Sequence, residues 1–68
     1  MTKVTNQAEL AAALAAGAVE IELVGDGEFD ATAAGKPVVL YTYGSSQPRV
    51  VRGYPSLADW RHRSDGRV

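Results

Sequence analysis

The chain has no cysteine and a single histidine, His62. Without thiols there is neither a disulfide framework nor a thiolate metal site, and one imidazole cannot build a histidine cluster. Tryptophan and phenylalanine occur once each. No apolar run approaches the roughly 18–20 residues that a membrane span needs. No basic stretch followed by an apolar segment opens the chain, so no signal peptide is expected. What is present fits one small folded domain: 68 residues, 46% apolar and 22% charged, a balance unlike that of a disordered chain. So short a chain buries only about 60% of its unfolded surface, and its own core is marginal.

The net charge of −1 hides an uneven split. Residues 1–35 set Lys3 against Glu9, Glu20, Glu22, Asp26, Glu28 and Asp30, one cation against six carboxylates, for −5. Residues 36–68 set Lys36, Arg49, Arg52, Arg61, Arg63 and Arg67 against Asp59 and Asp65, six against two, for +4. Such a dipolar chain can fold its halves against each other, dock copies head to tail, or offer its basic half to a polyanion.

Val4 can open a short strand. Asn6 is a good N-cap and Glu9, three residues on, is its capping-box partner. Residues 7–16 are almost all strong helix formers, with Leu10 and Leu14 on one face and alanines elsewhere that let a second backbone approach. Gly17 suits a left-handed C-terminal cap. Residues 18–24 alternate: Val19, Ile21 and Leu23 fall on one face, Glu20 and Glu22 on the other, the period of a half-buried strand. Gly25-Asp26-Gly27 is a turn, and Glu28-Phe29-Asp30 makes a very short strand with Phe29 inward. After a small-residue loop, Pro37 opens a strand over 38–43, uncharged, β-branched and aromatic. Residues 44–48 turn, and 49–52 form another short strand. Ser56 caps a final helical turn, with Leu57, Trp60 and Arg61 at helical spacing. The expected fold is α+β: one N-terminal helix packed on a small sheet of three to four short strands, with a short C-terminal helical turn. One domain covers 1–63, and 64–68 is a frayed tail. The apolar run Val38-Val39-Leu40 predicts burial on both faces. One helix covers only one face, so a second copy is expected on the other.

The stretch Val4-Thr5-Asn6-Gln7-Ala8-Glu9-Leu10, followed by Ala13-Leu14-Ala15-Ala16-Gly17-Ala18, resembles the leader of a group of actinobacterial and actinobacteriophage proteins. In these an alanine-rich helix ending in glycine precedes tandem Tyr-Gly-Ser-Ser repeats that look like rungs of a β-solenoid. Here Tyr43-Gly44-Ser45-Ser46 occurs once, followed by Val50 and Val51 rather than another rung. The opening is also similar to the N-terminal cap of right-handed β-helix proteins: a short helix, a first strand, then a second strand opened by Gly35-Lys36-Pro37. The resemblance covers roughly residues 4–51. A solenoid needs at least about three repeats to build a core, so it implies a cap-and-rung unit that must stack on something. It implies no catalytic residue. The setting it implies is a virion or a host cytoplasm.

Signs of chemistry are sparse. Asp26, Glu28 and Asp30 surround a glycine turn that could attract a hard cation, but an EF-hand's spacing is missing and a solvated acidic turn accounts for them. Glu20 and Glu22 could pair for acid/base work, and a polar strand face accounts for them equally. Ser45 and Ser46 lack a Gly-x-Ser-x-Gly elbow. Arg61-His62-Arg63-Ser64-Asp65 holds triad residue types without triad geometry. No enzyme activity, cofactor or metal is expected. Aromatics among arginines mark protein interfaces, and Tyr41, Tyr43, Arg49, Arg52, Tyr54, Leu57 and Trp60 are the candidate interface residues. The expected function is that of a non-enzymatic structural or interaction module of phage type, self-associating through the uncharged strand and the aromatic C-terminal segment. It would act as a virion surface or cement protein bound to a capsid, or as a protein that binds a host factor. The alternative is nucleic-acid binding by the basic half, through base stacking and phosphate contacts, against a sequence pI of about 5.6.

Overall fold

Every strand in this small α+β domain pairs in parallel with a strand about twenty residues away. The computed structural model describes residues 1–53 and 57–63. Its elements run β1 (Thr2–Val4), α1 (Gln7–Ala15), β2 (Glu20–Leu23), β3 (Glu28–Asp30), β4 (Val38–Tyr43), β5 (Arg49–Arg52) and β6 (Ala58–Arg63). One sheet has the order β1-β2-β4-β6 and the other pairs β3 with β5. Thr2 lies beside Ile21, Glu20 beside Val39 and Val38 beside Ala58, offsets of 19, 19 and 20 residues. Glu28 lies beside Arg49, an offset of 21. The chain thus alternates between two sheets and climbs by one strand at each return. Order along the sequence becomes order along the axis of a coil.

The helix begins and ends as its caps dictate. Asn6 Oδ1 accepts from the Glu9 N–H at 2.9 Å. The Glu9 carboxylate turns back to the Thr5 N–H and hydroxyl, each at 2.6 Å, one residue short of the usual capping-box partner. At the other end Gly17 has φ +86°. Its N–H donates to Leu14 O and that of Ala18 to Ala13 O, the paired bonds of a Schellman cap. Leu10 and Ala13 are the buried residues of α1, with Leu14 only partly buried against the core. Leu10 and Leu14, expected on one face, both meet the core, Leu14 only in part, and Ala13 is buried beside them.

Side chains alternate as parallel strands require. Ile21, Leu23, Val38, Leu40 and Thr42 point inward with Phe29 from the second sheet, and all are buried. Val19, expected to share the inward face of β2, precedes that strand and is 46% exposed. Outward from β4, Val39 and Tyr41 are half-buried and Tyr43 is buried, its hydroxyl donating to Met1 Sδ at 3.9 Å. The outer face of β4 is therefore partly covered by the chain itself.

The turns stack as the strands do. The Gln47 N–H donates to Gly25 O and Asp26 Oδ1, and the Arg49 N–H to Gly27 O. The turn after β4 thus lies on the turn after β2, and Ser46 Oγ accepts from the Gly25 N–H at 3.4 Å. Gly53 follows β5 with φ +85°, and a Cβ there would lie 2.5 Å from Ala31 C and 2.6 Å from Thr32 N. Only glycine allows the two corners to approach this closely.

The final segment departs from expectation. Residues 58–63 form β6, in register with β4 from Val38–Ala58 to Tyr43–Arg63, where a helical turn was expected. Local spacing of Leu57 and Trp60 gave way to an alternation that the edge of β4 selects: Ala58, Trp60 and His62 toward the core side, Asp59, Arg61 and Arg63 away from it. The proposed Ser56 cap and the tail 64–68 lie outside the described residues.

Candidate interaction surface

The two ends of the coil are built differently. At the N-terminal end α1 packs against β1 and β3, the first strands of the two sheets. The Gln7 side chain does what a neighbouring strand would do. Its Nε2 donates to Asp30 O at 2.9 Å and its Oε1 accepts from the Asp30 N–H at 2.7 Å. The helix packs over this end, and one amide side chain takes the Asp30 backbone groups that the outer edge of β3 would otherwise leave unpaired.

At the C-terminal end, β5 and β6 are the last strands of their sheets among the described residues. Among the described residues the inward column Ile21–Leu40 ends in Trp60, which is 36% exposed. Leu57 and Val51, at 42% and 46%, share this end. Trp60 is held in place. Its Nε1–H donates to Thr42 Oγ1 at 3.2 Å, and that oxygen lies 2.8 Å from His62 Nδ1. Buried Thr42 is thus satisfied by two side chains of the last strand.

The seven interface candidates separate into three places. Tyr41 and Tyr43 stack on the outer face of β4, ring centroids 6.0 Å apart and planes 14° from parallel, beside Arg61 and Arg63 of β6. Arg49 and Arg52 are exposed on β5, beside Glu28 and Asp30 of β3. Leu57 and Trp60 belong to the open end, and Tyr54 lies outside the described residues. The uncharged strand β4, expected to take part in self-association, is paired on both edges, by β2 and β6. Sequence reasoning missed Asp59, Thr42 and His62. The alternation of small or aromatic with charged residues over 58–63 was the available signal.

The carboxylates of the acidic turn serve the backbone. Asp26 receives Gln47, and Asp30 Oδ1 accepts from the Thr32 N–H at 2.8 Å. Hydrogen bonds from Thr32, side chain first and backbone second, with the charge of Arg52 adding to them, hold the Asp30 carboxyl below its ordinary 3.8. Those from Thr5 likewise hold Glu9 below 4.5. Among the described residues no three His, Cys, Asp or Glu side chains gather into a metal-binding group, no pocket opens, and no helix is long and apolar enough to cross a membrane. Compared with known proteins, the chain matches no family model, no curated protein and no solved structure, so its function is argued from its own residues.

Proposed function

We propose that this chain is a non-enzymatic structural or interaction module that associates with copies of itself through the β5/β6 end of its coil. The observation that carries the reading is the contrast between ends: α1 and Gln7 close one, while Trp60, Leu57 and Val51 stand partly exposed at the other. Conformational entropy costs about 1.5 kcal/mol per ordered residue, and a core of this size has little surplus over it. Covering an aromatic anchor by association is the route left to a chain without disulfides. A virion surface or cement protein, or a binder of a host factor, are the two settings that suit such a module, and its presence in or absence from purified particles separates them. Sedimentation velocity over a micromolar concentration series tests the reading. A mass above the monomer that falls on dilution is expected, and a monomer at every concentration overturns it.

A second reading has its own observation. Half-buried Tyr41, stacked on Tyr43 beside Arg61 and Arg63, sets an aromatic face among cations as single-stranded nucleic-acid sites do. It expects binding that weakens steeply with salt, and no retention of DNA or RNA in a low-salt filter assay ends it.

A further inference from the structure

We propose that two copies join by their β6 edges around a two-fold axis, strands antiparallel, with Asp59 of each copy opposite Arg61 of the other. The inference rests on self-association through the open end and adds its geometry. The charges of β6 decide it. On the face turned from the core the strand carries Asp59, Arg61 and Arg63 in that order, one acid and then two bases. For two β6 edges to meet with strands parallel, one copy must be turned over, which puts its Asp59, Arg61 and Arg63 on the opposite face of the joint sheet and leaves every charge without a counterpart. A second β6 laid antiparallel and centred on Trp60 sets Asp59 against Arg61 of the other copy, twice by symmetry, and opposite charges directly across a strand pair are favourable. Shifting the centre to residue 61 sets Asp59 against Arg63 twice but also Arg61 on Arg61 at the axis, so the charges favour the register centred on Trp60.

The core-side face agrees. The same register brings together the two Trp60 side chains, each 36% exposed in the single copy, and sets Ala58 against His62. Asp59 and Arg61 are ready for the exchange. They form an exposed ion pair within one strand at 3.1 Å, a contact worth little in water and easily traded for one across the axis. Head-to-tail stacking does not match as well. In register it would add Lys3 of the next copy to the column that ends in Glu22, Tyr41 and Arg61, cation beside cation. A two-fold contact also closes on itself, so it gives a dimer and not a filament.

Charge exchange tests this. Asp59→Arg alone and Arg61→Asp alone each place like charges opposite each other twice, and each is expected to weaken self-association about tenfold or more. Mixed in equal amounts, the two variants form opposite-sign edges and should recover a 1:1 dimer by sedimentation equilibrium. The double exchange Asp59→Arg with Arg61→Asp should dimerise on its own. Both positions are exposed on the outer face, so the melting temperature of the dilute monomer serves as the control for folding. Single variants that dimerise like the original chain, or a mixture that stays monomeric while each variant remains folded, overturn the antiparallel register. A parent chain that is monomeric throughout overturns the broader reading instead. Assembly beyond the dimer that ignores these charges leaves self-association standing and rejects the two-fold edge.

Discussion

The helical end and the β6 end of this coil face the same problem and answer it differently. Among the described residues each terminates two parallel sheets, where backbone groups and apolar side chains need covering. At the helical end the chain supplies the cover. Leu10 and Ala13 seal the interior, and the Gln7 amide takes the hydrogen bonds of Asp30. At the other end β6 carries Trp60, steadied by Thr42 and 36% exposed. Sequence order maps onto the axis, so the charge split follows as well: carboxylates gather toward the sealed end and arginines toward the open one. In the proposed association the covered end needs no partner, and the other end, with an aromatic and a charge pattern that complements itself, offers the surface for one.

The largest test of this contrast falls at the corner that launches the open end. Gly53→Ala forces a Cβ against the Ala31–Thr32 backbone at a residue with φ +85°. Strain and overpacking together cost about 3 kcal/mol or more, most of what so small a domain holds. Loss of the far-ultraviolet dichroism signal at 25 °C is expected, and an unchanged melting temperature would mean that the corners are not in contact. At the sealed end, Leu10→Ala is expected to cost about 2–5 kcal/mol as a buried truncation. Leu14→Ala should cost clearly less, since Leu14 is only partly buried. Urea midpoints decide the order, and equal losses would place both leucines in the core.

Gln7→Ala is a smaller change with a pointed meaning. It removes both bonds to the Asp30 backbone and should cost about 1 kcal/mol, with faster amide exchange at Asp30. If exchange at Asp30 is unaltered, Gln7 is not what closes β3. Acid has the mildest effect. Glu9 and Asp30 are more acidic folded than unfolded, so their contribution is complete above the ordinary values of 4.5 and 3.8 and is lost as pH falls through the lower folded values. Stability should be level above about pH 5 and decline below about pH 4. In Glu9→Gln the decline should be shallower, and a variant whose acid limb matches the parent would remove Glu9 from the account.

Much of the sealed end is legible in the sequence because its signals are local. Asn6 and Gly17 bracket α1 by short-range hydrogen bonds, and the alternation of Ile21 and Leu23 with Glu20 and Glu22 marks β2 without help from other segments. The open end is less legible because its structure is set from outside. Pro55, Ser56, Leu57 and Trp60 read locally as the start of a helix, yet residues 58–63 extend along β4, whose edge rewards a period of two. The parallel climb is hidden for a similar reason. Ile21, Leu40 and Trp60 occupy one column but share only apolarity, so offsets of 19 and 20 residues leave no visible repeat. Tyr41, Tyr43, Arg49 and Arg52, chosen as aromatics and arginines, lie on faces that sequence distance does not reveal.

The claim that one end is closed and the other receives a partner is tested most directly by amide hydrogen exchange, followed segment by segment at two protein concentrations on either side of dissociation. The account predicts that protection of β6 rises at the higher concentration while that of α1 and β1 stays the same. Protection that rises at α1 and β1, or at no segment although the mass shows association, would contradict it.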